Sequence, residues 1–289
     1  MFFISDLLIR LVTLCLRGMP VFMFQPVAGC LTGLAFRFSG RDNRILKSNI
    51  ARVYHLPPDS HFSDMFRRQV FRHQVSATME TIRCSFDDRQ LRMEGVEEFN
   101  RVLAAAADGP HGMVVITGHT GSWELCAKYC VRALPRAFNV LAKPSVNKAF
   151  TMFLERLRVR IGANVFWTDK KSLLKDMLGA LKKREAVGFV MDQKPENRKG
   201  PVVEFFGIPT EFVAGPASMA VRTGAAVVSV FCMRTGPFSY RLLANMLAPP
   251  GHGLSDELAL TQVMAREIES VIRAYPEQWT WNYKRWRQP

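Results

Sequence analysis

The segment Gly118-His-Thr-Gly-Ser-Trp-Glu124 brings together an imidazole, a carboxylate five residues further on, and two glycines. An imidazole titrates near neutrality, so one held by a carboxylate suits a general base. On a regular helix, a five-residue separation turns two side chains about 140° apart. His119 and Glu124 therefore meet only if His119 lies in a turn and Glu124 in the first turns of the next helix. Gly118 and Gly121 permit that bend. The expected arrangement is an imidazole fixed in tautomer and direction by Glu124. The chain has no Gly-x-Ser-x-Gly nucleophile segment. The base is therefore expected to act on a substrate hydroxyl, with direct transfer and no covalent enzyme intermediate. The spacing does not match His-Glu-x-x-His, so a zinc site is not the reading.

The elements that must position these residues emerge from the pattern around them. Residues 113–117 form a short apolar run that ends on Gly118, and residues 121–134 look helical. Strands are expected at 138–142, 164–167 and 186–192, separated by helices at 147–161 and 171–183. Gly207-Ile-Pro209 reads as a turn. A helix over 214–223 opens at Gly215-Pro216, where proline suits the first turn. Residues 225–233 and 240–248 read as a hairpin around Thr235-Gly-Pro237, with a helix after it over 255–274 and Ser255 as its cap. Upstream, residues 41–83 are helical, broken at His55-Leu-Pro-Pro58, with Asp59 or Ser60 capping the second helix. Strands alternating with helices of this length predict an α/β fold, a mainly parallel central sheet flanked by helices. His119 then sits where a strand ends and a helix begins, the usual place for ligand chemistry in such sheets.

Composition narrows the partners. Hydrophobic residues make up 48% and charged residues 22% of the 289, which excludes a disordered chain and allows a sizeable core. The net charge of +14 favours an anionic partner: lipid headgroups, an acidic protein or nucleic acid. Nothing resembles an RNA-reading aromatic sheet or a basic reading helix, so nucleic acid is not expected. The six cysteines lack a disulfide-framework spacing and read as reduced thiols. Cys126 and Cys130 stand a helical turn apart, yet no further Cys or His completes a metal set, so they are assigned to the core. No metal, nucleotide or redox cofactor is required.

Residues 1–40 are expected to anchor to a membrane and residues 41–289 to form the catalytic domain. Residues 18–36 carry no charge, and Arg37, Arg41, Arg44, Lys47 and Arg52 come immediately after. That basic flank would keep the downstream domain in the cytoplasm. Pro20, Pro26 and the glycines interrupt the run, so a spanning helix, an interfacial hairpin and an in-plane helix all stay open.

The segment 118–124 resembles the His-x4-Asp/Glu block of glycerolipid-type acyltransferases. More closely, it is similar to the Gly-His-x-Gly-Asn/Ser-Trp-Glu block of the late acyltransferases of lipid A biosynthesis. Asn49, Lys143-Pro144, Arg158-Val-Arg-Ile-Gly162, Asp192-Gln193, residues 203–207, Gly215-Pro-Ala217, Pro276-Glu-Gln-Trp-Thr-Trp281 and Arg285-Trp286 extend the resemblance over most of residues 40–289. It implies an acyl chain carried as a thioester on acyl carrier protein and transferred to a hydroxyl of a lipid A-type glycolipid. The place implied is the cytoplasmic face of a bacterial-type inner membrane. His119 would deprotonate the acceptor and Glu124 would orient His119. Backbone N–H groups of Gly121 and Ser122, with a cation among Lys143, Arg158 and Arg160, would face the oxyanion. Asp192 would bind acceptor hydroxyls or brace a basic residue, and Lys194, Arg198 and Lys199 would face acceptor phosphates. Lys143 stands where the family often has Arg, and residues 211–214 lack the threonines often seen there. The same chemistry on a lysophospholipid, an aminolipid or a glycosylated phosphoinositide is the alternative. The C-terminal aromatic tail could sit in a membrane interface or dock on the sheet.

Overall fold

In the computed structural model, which describes residues 2–57, 60–195 and 200–286, the five apolar residues 113–117 are a central strand and every one is buried. The sheet around them has seven strands. In chain order these are β1 (Arg92–Glu94), β2 (Met113–Thr117), β3 (Phe138–Ala142), β4 (Asn164–Trp167), β5 (Ala186–Val190), β8 (Ala226–Gly236) and β9 (Ser239–Ala248). They lie side by side as β1-β9-β8-β2-β5-β3-β4. Only β8 and β9 run antiparallel; the other neighbours are parallel, as the alternating pattern requires. A separate antiparallel hairpin joins β6 (Val202–Phe205) to β7 (Ile208–Glu211).

Alternate residues of each strand enter opposite cores, the period of two that a pleated strand imposes. Val114, Ile116, Val187 and Phe189 pack in one hydrophobic cluster, and Met113, Val115 and Ala186 in the other. Helices cover both faces, which a mainly parallel sheet needs. These are α5 (Val96–Ala107), α6 (Trp123–Ala133), α7 (Lys148–Arg160), α8 (Leu173–Lys182), α9 (Gly215–Thr223) and α10 (Glu257–Ala274). Beyond the expected elements come β1 and α5, and β7 begins at Ile208, so residues 208–209 belong to a strand rather than to the expected turn.

Upstream, α3 (Gly40–Tyr54) and α4 (His61–Phe86) confirm the helices expected either side of residue 55, where the backbone turns left-handed at His55. Ser60 caps α4, accepting from the Ser63 N–H at 3.2 Å; Asp59 lies outside the described residues. The cap of α10 is Asp256 rather than Ser255, because it is the Asp256 carboxylate that accepts the Ala259 N–H, at 2.9 Å. The long α4 feeds both cores: Phe66, Val70 and Phe71 enter one, Met79 and Cys84 the other.

At the N-terminal end stand two helices, α1 (Phe2–Gly18) and α2 (Val21–Phe38), separated at Met19-Pro20. The uncharged run therefore does not continue as one helix across residue 20. Helix α2 is 18 residues long, with a mean hydropathy of 1.3, enough to cross a membrane by length and composition. The pair docks on α4 and α7 through few residues: Leu16, Phe24 and Ala28 are buried. On α1, Ile4, Leu7, Leu8, Leu11 and Val12 point outward.

Glu80 ties α4 to the antiparallel strands. It is 1% exposed, accepts from Arg234 at 2.8 and 2.9 Å, and accepts from the Tyr240 hydroxyl at 2.7 Å. Removing one partner of a buried ion pair strands the other charge. Glu80→Ala is therefore expected to destabilise the protein by about 3 kcal/mol, read as a lower denaturant midpoint, whereas Glu97→Ala on the surface leaves the midpoint in place.

Candidate active site

Two strand ends make the site. Thr117 of β2 pairs with Val190 of β5 in parallel register. Two residues beyond each partner stand His119 and Asp192, so the register alone brings them level. The His119 ring presents Nδ1 to Asp192 Oδ1 at 2.7 Å, and its backbone N–H donates to Oδ2 at 2.9 Å. A third donor, the Trp279 indole N–H, reaches Oδ2 at 2.7 Å. Asp192 is 1% exposed, while the His119 side chain is 22% exposed.

Burial pushes the Asp192 carboxyl up, but the His119 charge and these hydrogen bonds outweigh it and hold the group below the usual carboxylate range. An ionised Asp192 accepts only, so Nδ1 carries the proton and Nε2 keeps its lone pair for a substrate. The Trp123 ring flanks the imidazole edge-on at 5.1 Å.

The turn between β2 and α6 is held from several sides. Gly121 takes φ +62°, and a Cβ there would come within 2.3 Å of the Cys232 carbonyl oxygen, so this position requires glycine. The Gly121 N–H donates to the Gln278 carbonyl at 3.2 Å and the Ser122 N–H to the Cys232 carbonyl at 2.8 Å. Both amides are thereby committed, which corrects the expectation that they face an oxyanion. The Ser122 hydroxyl bonds Thr81 at 2.7 Å.

Glu124 is also placed differently from expectation. Its carboxylate receives Arg158 through Nη2 at 2.5 Å and Nε at 3.1 and 3.2 Å, both side chains being 12% exposed. Helix α6 begins at Trp123 and presents Glu124 to Arg158 of α7. Asp192 therefore orients His119, and Glu124 pairs with the Arg158 guanidinium.

The remaining cations have these surroundings. Arg160 lies over the Phe86 ring at 4.7 Å, and Arg17 of α1 meets the same ring at 4.6 Å. Lys143 stands just past β3 on an exposed loop. The Lys194 N–H donates to the Tyr283 hydroxyl at 3.2 Å, and its ammonium lies 3.9 Å from Glu211. Arg198 and Lys199 lie outside the described residues.

The C-terminal aromatic tail docks inside the protein: Trp279, Trp281 and Trp286 are 1%, 0% and 7% exposed. Its backbone contacts the turn that carries His119. The Thr280 N–H and hydroxyl both donate to the His119 carbonyl, at 3.0 and 3.1 Å. Asn49 of α3 anchors this strap, its amide donating to the Trp281 and Tyr283 carbonyls at 2.8 Å each. The role of Trp279 and Thr280 is not legible in spacing, because the contacts cross more than eighty residues of chain. The nearest signal is the density of tryptophans beside cations.

The cysteines take no part in this chemistry. Cys84, Cys126, Cys130 and Cys232 are buried. Desolvation pushes the Cys84 thiol up to about 12 and raises Cys126 and Cys232 as well. Cys84, Cys126 and Cys232 therefore remain thiols at neutral pH, unsuited to nucleophilic attack. Cys126 and Cys130 thus serve the core, as their type and helical spacing suggest.

Comparison with known proteins points the same way. Residues 3–288 match the profile of the family described as bacterial lipid A biosynthesis acyltransferase. The phosphatidylinositol mannoside acyltransferase of Mycolicibacterium smegmatis is 26% identical over 273 residues, 93% of this chain and 87% of that one. Its counterpart in Mycobacterium tuberculosis is 25% identical over 260 residues, 83% and 76% of the two chains. The lipid A biosynthesis palmitoleoyltransferase of Escherichia coli is 28% identical over 222 residues, 75% and 70%. With an open strand-end histidine braced by a buried aspartate, and a match spanning nearly all its length, the chain belongs to the bacterial lipid A biosynthesis acyltransferase family and is a lipid acyltransferase.

Proposed function

We propose that the protein transfers a fatty acyl chain from an acyl carrier protein thioester to a hydroxyl of a lipid A-type glycolipid at the cytoplasmic face of a bacterial inner membrane. The observation that carries the chemistry is the 2.7 Å contact between His119 Nδ1 and buried Asp192, which leaves Nε2 as the base. Nε2 takes the acceptor hydroxyl proton as the oxygen attacks the thioester carbonyl. The tetrahedral intermediate collapses, the C–S bond breaks, and the leaving thiolate takes the proton back from Nε2. Asp192 steadies the imidazolium between these steps. Arg158, held by Glu124, is the cation assigned to the negative charge of the reacting carbonyl or of an acceptor phosphate.

The acceptor has a second reading. The relative with 93% coverage of this chain is named for phosphatidylinositol mannoside, which supports a glycosylated phosphoinositide. Either candidate acceptor would present a hydroxyl, so the same base serves both.

The N-terminal pair supports membrane attachment by inversion of the usual pattern. A helix on a water-soluble surface turns its apolar stripe inward. Here α1 turns Leu7, Leu8 and Leu11 out and Asp6 in, toward Arg156 of α7 at 3.5 Å. Helix α2 likewise exposes Phe22, Leu31 and Leu34. The arrangement fits a hairpin lying in the membrane interface, with cations at its margin.

The deciding experiment offers purified protein matched thioesters of acyl carrier protein and coenzyme A, with lipid A precursor and phosphatidylinositol mannoside as acceptors. Transfer from the carrier to lipid A precursor is expected. Product only on the mannoside moves the acceptor to the second reading, and product only from coenzyme A removes the carrier. In the active pairing, His119→Ala is expected to lower kcat by at least ~10²-fold, with Asp192→Asn also impaired. For the membrane, the double substitution Leu7→Asp and Leu11→Asp should release the protein from anionic phospholipid vesicles in a flotation assay, with the thermal midpoint unchanged. Retention of full binding would remove α1 from the membrane face.

A further inference from the structure

We propose that Trp279 is a positioning residue: its indole N–H fixes the Asp192 carboxylate so that His119 keeps Nε2 aimed at substrate. The inference rests on the role assigned above to His119 and Asp192.

Asp192 has two oxygens with different duties. Oδ1 faces the imidazole, while Oδ2 takes the His119 backbone N–H and the Trp279 indole N–H. Without the indole, Oδ2 keeps a single donor that moves with His119 itself, so the carboxylate can rotate together with the group it is meant to steady. The indole belongs to a different part of the fold and supplies a fixed reference.

That reference is held on both flanks. On one side Gln278 accepts the Gly121 N–H through its carbonyl, while its side chain bonds the Arg234 backbone at 2.8 and 2.9 Å. On the other, Thr280 grips the His119 carbonyl and Asn49 grips the Trp281 and Tyr283 carbonyls. Around the ring, Trp281, Phe205 and Phe206 stand at 4.7, 5.9 and 6.0 Å. The indole cannot swing without repacking that cluster.

Ring packing alone would not require the N–H to point at Asp192. Trp281 and Trp286 occupy the same cluster and also donate, but to the Pro276 carbonyl at 2.6 Å and the Thr210 hydroxyl at 2.8 Å. This supplies an internal control. Trp279→Phe and Trp286→Phe each remove one indole N–H from one cluster, and only the first touches the carboxylate.

A second consequence concerns pH. Among the described residues, the charged groups that sense Asp192 are His119 and buried Arg285 of the strap. Trp279 adds a neutral donor that favours the deprotonated His119–Asp192 pair. Removing it makes the pair hold a proton more tightly, whichever member carries it. The acid limb of kcat/KM should therefore move upward.

The test measures kcat, KM and the pH profile of acyl transfer for Trp279→Phe and Trp286→Phe beside the wild-type protein. Trp279→Phe is expected to lower kcat about tenfold with KM unchanged, and to raise the acid limb by about half to one pH unit. Trp286→Phe should keep both. Equal behaviour of the two variants, while His119→Ala is inactive, would overturn the positioning role alone; an active His119→Ala overturns the reading beneath it. Should Trp279→Phe not fold, the wild-type protein supplies the answer through its indole N–H resonances. One of the five, persisting in Trp123→Phe, should titrate with the midpoint of the acid limb. Absence of any such resonance counts against the proposal.

Discussion

A carboxylate buried to 1% exposure is the constraint on which the rest of the site depends. Burying a charge without partners is unfavourable, and a group so placed ordinarily takes up a proton instead. Asp192 avoids this through donors from two distant pieces of chain, the turn after β2 and the C-terminal strap. An anionic Asp192 in turn decides which imidazole nitrogen is protonated and which is free. The basic lone pair on His119 is therefore a property of the whole fold, assembled by register on one side and by the strap on the other.

Parallel register is the simpler part of this arrangement. Because β2 and β5 are in step at Thr117 and Val190, equal overhangs place His119 and Asp192 together without any special loop. The strap demands more. It requires Trp279, Trp281 and Trp286 to find one cluster with Phe205, Phe206 and Phe212, and it requires α3 to present Asn49 beneath it. The early Asn49 and the late tryptophans thus belong to one mechanical unit, although they stand more than two hundred residues apart.

The βα alternation, the hairpin of β8 and β9, and the strand-to-helix turn at Gly118 are legible in the sequence because local periodicity and turn chemistry carry them. The histidine is legible for the same reason. Its partner is not: Glu124 is near in sequence and Asp192 is near in space, and only strand pairing separates the two choices. The Gly121 and Ser122 amides mislead in a related way. A helix start ordinarily offers free N–H groups, but here the Gln278 and Cys232 carbonyls fill them, and neither can be inferred from the turn itself. Helix α5 is amphipathic as well, burying Phe99, Leu103 and Ala106 at helical spacing, so its pattern is present in the sequence although no expectation named it.

Helix α7 joins the two ends of the functional reading. Toward the site it presents Arg158 to Glu124; along its side it receives α1, with Arg156 facing Asp6. It also exposes Phe150 and Val159, apolar side chains of the same kind that α1 turns outward. A membrane surface touching α1 would then lie against the same helix that pairs Arg158 with Glu124. Asp192 braces the imidazole from the protein interior and leaves the ring's exposed edge for an acceptor's approach, which is where a base facing a lipid surface needs to be open.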